Sequence, residues 1–122
     1  MELQEILDTI RLISKTTVAE EAGAIDSQGR WPEDSIKALQ QAGFGGLVVS
    51  KELGGHGQGL YGLARACEII GEVSASAALC YGMHCVGAAV IGAKATDQQK
   101  EEFLVPIAAG KHLTTLALSE PG

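Results

Sequence analysis

Residues 73–93 contain no Asp, Glu, Lys or Arg, and this uncharged stretch restricts the fold more than any other feature of the 122-residue sequence. It is long enough to cross a bilayer as a helix. However, its many Ala and Gly residues, together with two serines and His84, make membrane insertion unfavourable. A helix that is apolar on every side is more simply the central helix of a soluble protein. We therefore predict a core helix over about residues 74–93 and no membrane span.

Two further helices are predicted in the N-terminal third of the chain. The apolar residues there are three or four apart: Leu3, Ile6, Leu7, Ile10 and Ile13. This spacing predicts an amphipathic helix over about residues 2–22, with Gly23 as its C-terminal stop. Pro32 suits the first position of a second helix, which would close at Gly43.

Helices are also predicted on both sides of the core helix. The one before it spans about residues 60–72, with Leu60, Leu63, Ala64 and Cys67 on its buried side. The one after it begins with a capping box from Thr96 to Gln99 and ends near Val105, because Pro106 disfavours continuation. Residues 45–50 are predicted to be a short extended piece, and residues 54–59 a glycine-rich loop. The predicted fold is an all-α, up-and-down-like bundle of five to six helices. Residues 113–118, rich in β-formers, add a short terminal extended segment.

Composition excludes several classes of function. The net charge of −6 argues against nucleic-acid binding, which depends on Lys and Arg. The acidic N-terminus lacks the basic region of a signal peptide. The three cysteines are an odd number without the spacing of a disulfide framework, which indicates reduced, buried thiols and a cytoplasmic location.

Two local patterns suggest binding sites, but each has a simpler interpretation. Gly57, Gly59 and Gly62 match the dinucleotide pattern G-x-G-x-x-G, which requires a preceding strand and a later acidic residue. The only candidate strand ends near Ser50, several residues too early, and no Asp or Glu occurs between Glu72 and Asp97, so a flexible loop is favoured. Cys80 and His84 are one helical turn apart, but zinc needs more ligands than these, so buried packing is favoured and no metal site is predicted. His56 and His112 are expected to face solvent.

The end of the chain carries a more specific pattern, LALSEPG at residues 116–122. It resembles the opening of the flavin-binding signature of acyl-CoA dehydrogenases, although that signature continues with Ala-Gly-Ser-Asp and more often has Thr where Ser119 stands. Other matches occur in the family's order: Asp26, Gly29, Trp31 and Pro32, residues 43–47 (GFGGL), Gly54, Gly55 and Gly57, and residues 97–100 (DQQK). Ser50 stands where the family often has Pro. We expect Met1 to be a true start and the C-terminus to be truncated.

The resemblance implies a division of the chain into two parts. Residues 1–112 would be the N-terminal helical domain, and residues 113–122 the first strand and flavin-motif start of a β domain. Such enzymes use FAD to oxidise the Cα–Cβ bond of an acyl-CoA thioester, with a glutamate base from a later domain. No catalytic residue is therefore assigned to this chain, and it is expected to be inactive alone and to bind FAD weakly or not at all.

Carried over by position, the flavin contacts would be Leu116 and Leu118, with the Ser119 hydroxyl at flavin N5. Packing at the seam between domains is the alternative role for the two leucines. The core helix would line the acyl pocket through Leu79, Gly82, Met83 and Val86, unless these residues only fill the core.

The resemblance also implies an electron-transfer flavoprotein as acceptor and a homo-oligomer. A flavin-dependent monooxygenase or an acyl-CoA oxidase on the same scaffold remains open, as does a freestanding helical interaction module.

Overall fold

The computed structural model describes residues 1–117. Its helices are α1 (Leu3–Ile13), α2 (Ala19–Gln28), α3 (Glu33–Gln41), α4 (Leu60–Gly71), α5 (Ala75–Lys94) and α6 (Asp97–Ala108). A π-helical turn at Ser14–Val18 joins α1 to α2 without a break, so the first two form one long helix. The predicted all-α bundle is confirmed, and no strand forms within the described residues.

The predicted core helix is α5, which begins at the cap residue Ser74, whose side chain accepts a hydrogen bond from the Ala77 N–H. By length and composition α5 is apolar enough to cross a membrane. In the fold one side of α5 packs against the bundle, with Tyr81, His84 and Cys85 buried, and a third of its apolar stretch is buried in all. α4 and α5 form an antiparallel pair, because Gly71 lies next to Ala78 at the turn between them. The buried apolar side chains of α1, α3 and α4 pack in one core with those of α5.

The first helix is longer than predicted. Gly23 does not stop it: the helix continues to Gln28 and ends at Gly29, whose φ of 61° is left-handed. The continuation places Glu21 and Ile25 in the interior, and such tertiary contacts outweigh the roughly 1 kcal/mol by which glycine disfavours a helix.

The capping box of α6 is confirmed, since Thr96 accepts from the Gln99 N–H and the Gln99 side chain accepts from the Thr96 N–H. The predicted end near Val105 is wrong, because α6 continues through Pro106 to Ala108. Burial of Ile107 accompanies this extra turn. Proline removes one helical hydrogen bond, and here the helix tolerates that loss.

The prediction of an extended piece at residues 45–50 is also wrong. A 3₁₀ turn at Phe44–Gly46 begins this region, and a second follows at Lys51–Leu53. The glycine-rich loop that comes next is confirmed as a loop. Backbone hydrogen bonds hold it in place, because the N–H groups of His56, Gly57 and Gln58 donate to carbonyls of residues 46–49. Its glycines follow no strand, so the dinucleotide pattern lacks its required context.

Three side chains lie elsewhere than predicted. Leu60 and Ala64 are exposed, because α4 turns Ala66 and Ile70 inward instead, whereas Leu63 is buried as predicted. His56 is half-buried and its Nε2 lies 3.1 Å from the Gly43 carbonyl oxygen, whereas His112 is exposed as predicted.

Candidate functional site

The four residues predicted to line an acyl pocket share one side of α5, the outward face, at whose edges Val86 packs against the core and Gly82 against α4. Leu79 is 67% exposed, and Met83 and Val86 are half-buried. Gly82 lies against α4, where an added Cβ would come within 3.3 Å of the Cys67 sulfur. The face therefore offers three apolar side chains, and Gly82 allows α4 to approach α5 closely.

The opposite side of α5 carries two buried polar groups that bind the Phe44–Gly46 turn. The Tyr81 hydroxyl donates to the Phe44 carbonyl at 2.6 Å. His84 Nε2 lies 2.8 Å from the Gly45 carbonyl oxygen. Both residues are about 2% exposed, and buried polar groups need such partners to offset lost hydration. These contacts fix the turn to the middle of α5.

His84 has a second partner in the segment that follows α6. The Thr114 N–H donates to His84 Nδ1 at 3.1 Å. Burial lowers the pKa of His84, which favours the neutral ring. A neutral imidazole has one donor and one acceptor nitrogen. Because an N–H can only donate, Nδ1 is the acceptor, and Nε2 carries the hydrogen that is donated to Gly45.

We call residues 113–117 the docked segment, because Thr114 and Thr115 contact α5. Gly87 makes this possible: an added Cβ there would stand 2.7 Å from the Thr115 carbonyl oxygen. No helix or strand forms in the docked segment. Leu116, a predicted flavin contact, is half-buried, whereas the other two, Leu118 and Ser119, lie outside the described residues.

An open cleft of about 1290 Å³ lies between the loop before α4, the second half of α5 and α6. Leu60, Leu63, Val86 and Val90 contribute to its apolar lining. Charged residues also line it: Lys51, Lys94, Lys100, Glu52, Asp97 and Glu101. Of the four predicted pocket residues, Val86 alone lines this cleft. The cleft and the outward face of α5 therefore meet at Val86.

The cysteines are free thiols, as predicted, and Cys85 is buried, whereas Cys67 and Cys80 are only half-buried. Burial raises the pKa of Cys67 and Cys80, and raises the pKa of Cys85 to about 12. All three are thus poor nucleophiles at neutral pH. In the part of the chain that the structure describes, no three His, Cys, Asp or Glu side chains are grouped to hold a metal ion.

The family is decided by comparison with known proteins. The model of the acyl-CoA dehydrogenase N-terminal domain matches residues 1–111. The chain belongs to the acyl-CoA dehydrogenase family. This membership agrees with the resemblance found in residues 26–57 and 97–122.

Several individual acyl-CoA dehydrogenases are similar over nearly the whole chain. A probable acyl-CoA dehydrogenase of Mycobacterium leprae is 29% identical over 98% of this chain and 31% of its own length. The short-chain-specific acyl-CoA dehydrogenase of Clostridium acetobutylicum is also 29% identical, over 98% of this chain and 32% of its own. Mitochondrial isovaleryl-CoA dehydrogenase of Oryza sativa is 30% identical, over 97% of this chain and 30% of its own.

A solved structure has the same fold. It comes from work on the electron transferring flavoprotein of Acidaminococcus fermentans and flavin-based electron bifurcation. Its chain matches with a TM-score of 0.82 and 25% identity, over 93% of this chain and 30% of that one. The chain therefore spans about a third of the length of the curated relatives it matches.

Proposed function

We propose that the polypeptide carrying this chain is a flavin-dependent acyl-CoA dehydrogenase, which oxidises the Cα–Cβ bond of an acyl-CoA thioester. The observation that carries the proposal is the outward face of α5, where Leu79, Met83 and Val86 present apolar side chains. Met83 lies one turn before Gly87, on which the docked segment rests. We call Leu79, Met83 and Val86 the acyl wall. The acyl wall and the segment that leads to the flavin contacts are thus neighbours on one helix.

The residues of this chain fit such a cofactor as far as the structure describes them. Leu116 is apolar and half-buried, as a side chain that packs against a flat aromatic ring should be. Leu118 would contribute a second apolar contact, and Ser119 a hydroxyl hydrogen bond at flavin N5. Bound FAD would supply the hydride acceptor. The catalytic base is not assigned to any carboxylate of this chain, Glu120 included.

In this proposal residues 1–112 are the N-terminal helical domain, and residues 113–122 begin the flavin-binding β domain. Leu79, Met83 and Val86 exclude water from the acyl chain, while Gly82 brings α4 close to the same face. We further propose a cytoplasmic homo-oligomer that passes electrons to an electron-transfer flavoprotein. The net charge of −6 would influence how this chain associates with a charged protein partner.

The activity is tested on the polypeptide purified from its native source. Anaerobic addition of a saturated acyl-CoA should bleach the flavin absorbance. The matching 2-enoyl-CoA is the control, because its Cα–Cβ bond is already oxidised. If the bleached protein consumes oxygen rapidly when air is then admitted, the activity is that of an acyl-CoA oxidase instead. A protein without flavin would contradict the dehydrogenase and favour a helical interaction module.

The acyl wall is tested with two leucines of similar exposure. Leu79 is 67% exposed and Leu12, on α1, is 63% exposed. Leu79→Gln should raise the KM for acyl-CoA about tenfold, because burial of a leucine side chain contributes roughly 1.5–3 kcal/mol. Leu12→Gln should leave the KM unchanged. Equal KM values for the two variants would remove α5 from the substrate site.

A further inference from the structure

Two residues of α5 together hold the backbone of the docked segment. His84 accepts the Thr114 N–H at Nδ1, and Gly87 leaves the space that the Thr115 carbonyl occupies. They are three positions apart and therefore lie on the same side of the helix. One binds the segment by a hydrogen bond, and the other sets how closely it approaches.

The ring of His84 cannot be replaced by an apolar side chain of the same size without loss on two sides. It links the Gly45 carbonyl on one side to the Thr114 N–H on the other. These partners are separated from His84 by 39 and 30 residues. Nδ1 and Nε2 are only two bonds apart in the ring. One side chain therefore couples the position of the Phe44–Gly46 turn to that of the docked segment.

We propose that His84 is a positioning residue: by holding Thr114, it fixes the docked segment on α5 and thereby sets where Leu116 lies. The part of this inference that concerns the flavin rests on the proposed function. The part that concerns the backbone does not, because the contact between His84 and Thr114 forms within this chain and involves no flavin. A purely structural His84 would need only its bond to Gly45.

Two amide substitutions separate these roles. The amide of Asn reaches the place of Nδ1, so His84→Asn retains an acceptor for Thr114 and loses the bond to Gly45. The amide of Gln reaches the place of Nε2, so His84→Gln retains the donor to Gly45 and loses the bond to Thr114. Gly87→Ala is a third variant, which leaves His84 intact but displaces the segment.

The first experiment is hydrogen exchange on the 122-residue chain, observed amide by amide. In His84→Gln and Gly87→Ala, the Thr114 amide should exchange about two- to tenfold faster than in the wild type, as expected for the loss of one hydrogen bond. His84→Asn should exchange at nearly the wild-type rate at Thr114. Core amides such as that of Ile70 serve as the internal reference for global unfolding.

Two outcomes of the exchange experiment would overturn the inference. One is equal exchange at Thr114 in the wild type and His84→Gln. The other is His84→Asn behaving like His84→Gln, since the acceptor at Nδ1 would then have no effect.

The second experiment measures the circular dichroism of the bound flavin in the native polypeptide and the same three variants. His84→Gln and Gly87→Ala should change the flavin signal and lower kcat more than they raise KM, with flavin content retained. His84→Asn should restore both. Identical flavin signals in all four proteins would overturn the positioning role. A wild type without flavin would instead refute the proposed function, while the exchange experiment would still decide whether His84 holds Thr114.

Discussion

Ser35 donates two hydrogen bonds to the carboxylate of Glu21, from its hydroxyl at 2.6 Å and from its backbone N–H at 2.9 Å. The Asp34 N–H and the Arg30 guanidinium donate to the same carboxylate. The two backbone N–H groups belong to the first turn of α3, where Pro32 provides no side-chain cap. Glu21 thus caps α3 from a different helix and supplies negative charge where the helix dipole favours it.

The capping by Glu21 predicts acid sensitivity. Burial raises the pKa of Glu21, but the hydrogen bonds from Ser35, Asp34 and Arg30 outweigh it and lower the pKa from 4.5 to about 2. Because the pKa is lower in the folded state, the ionised group stabilises the fold above pH 4.5. That contribution, on the order of 3 kcal/mol, is lost as the pH falls toward 2. Urea unfolding at a series of pH values measures it.

Glu21→Gln should be less stable than the wild type at neutral pH and should lose less stability on acidification. Glu20→Gln is the control, because Glu20 is the exposed neighbour on the same helix. It should retain the acid dependence of the wild type. An unchanged acid dependence in Glu21→Gln would show that other carboxylates determine it.

Tyr81→Phe should destabilise the fold by about 1–3 kcal/mol, because it leaves the Phe44 carbonyl buried without its donor. Tyr61→Phe, at a ring that is 65% exposed, should change stability by less than about 0.5 kcal/mol. Thermal and urea unfolding of both variants measure the difference. Equal stabilities for the two variants would mean that the Tyr81 hydroxyl contributes nothing to the core.

Two glycine substitutions test where the first helix ends. An added Cβ would meet no heavy atom within 4 Å at either Gly23 or Gly29, so only backbone preference differs. Gly23→Ala should stabilise the protein by about 0.5–1 kcal/mol, because Gly23 lies inside a helix. Gly29→Ala should destabilise it by about 1–2 kcal/mol, because an L side chain disfavours a φ of 61°. Opposite signs in urea unfolding would instead place the stop at Gly23.

Ser119→Ala should slow flavin reduction by acyl-CoA about two- to tenfold in the native polypeptide, the effect of one hydrogen bond to the flavin. Ser119→Thr should be nearly silent, since it retains the hydroxyl. Stopped-flow absorbance at equal flavin occupancy measures both. Reduction at the wild-type rate in Ser119→Ala would leave Ser119 with a role only at the domain boundary.

Some features of the fold and of the candidate site could be predicted because their signals are local. Most of the uncharged residues 73–93 belong to α5, and Thr96 and Gln99 form the capping box of α6. The family was also recognisable, from residue types at fixed spacing. Such features depend on interactions within a few positions of the chain, or on patterns that need no three-dimensional knowledge.

Other features were predicted wrongly because local signals conflict with packing. Apolar residues surround Leu63 on both sides of α4, and only the tertiary contacts decide that Ala66 and Ile70 are buried with it rather than Leu60 and Ala64. Likewise, Gly23 and Pro106 are helix breakers by propensity, but burial of Ile25 and Ile107 extends both helices past them. Propensities are worth at most a few kcal/mol, and buried contacts outweigh them.

The sequence by itself determined the helical class, the central helix and the family. Only the tertiary structure decided that Glu21 caps α3 and that His84 joins Gly45 to Thr114. No pattern of neighbouring residues predicts these contacts, because they join groups 13 to 39 positions apart. Such a hydrogen bond is specific only when the whole chain path brings donor and acceptor together and excludes the water that would otherwise replace either one.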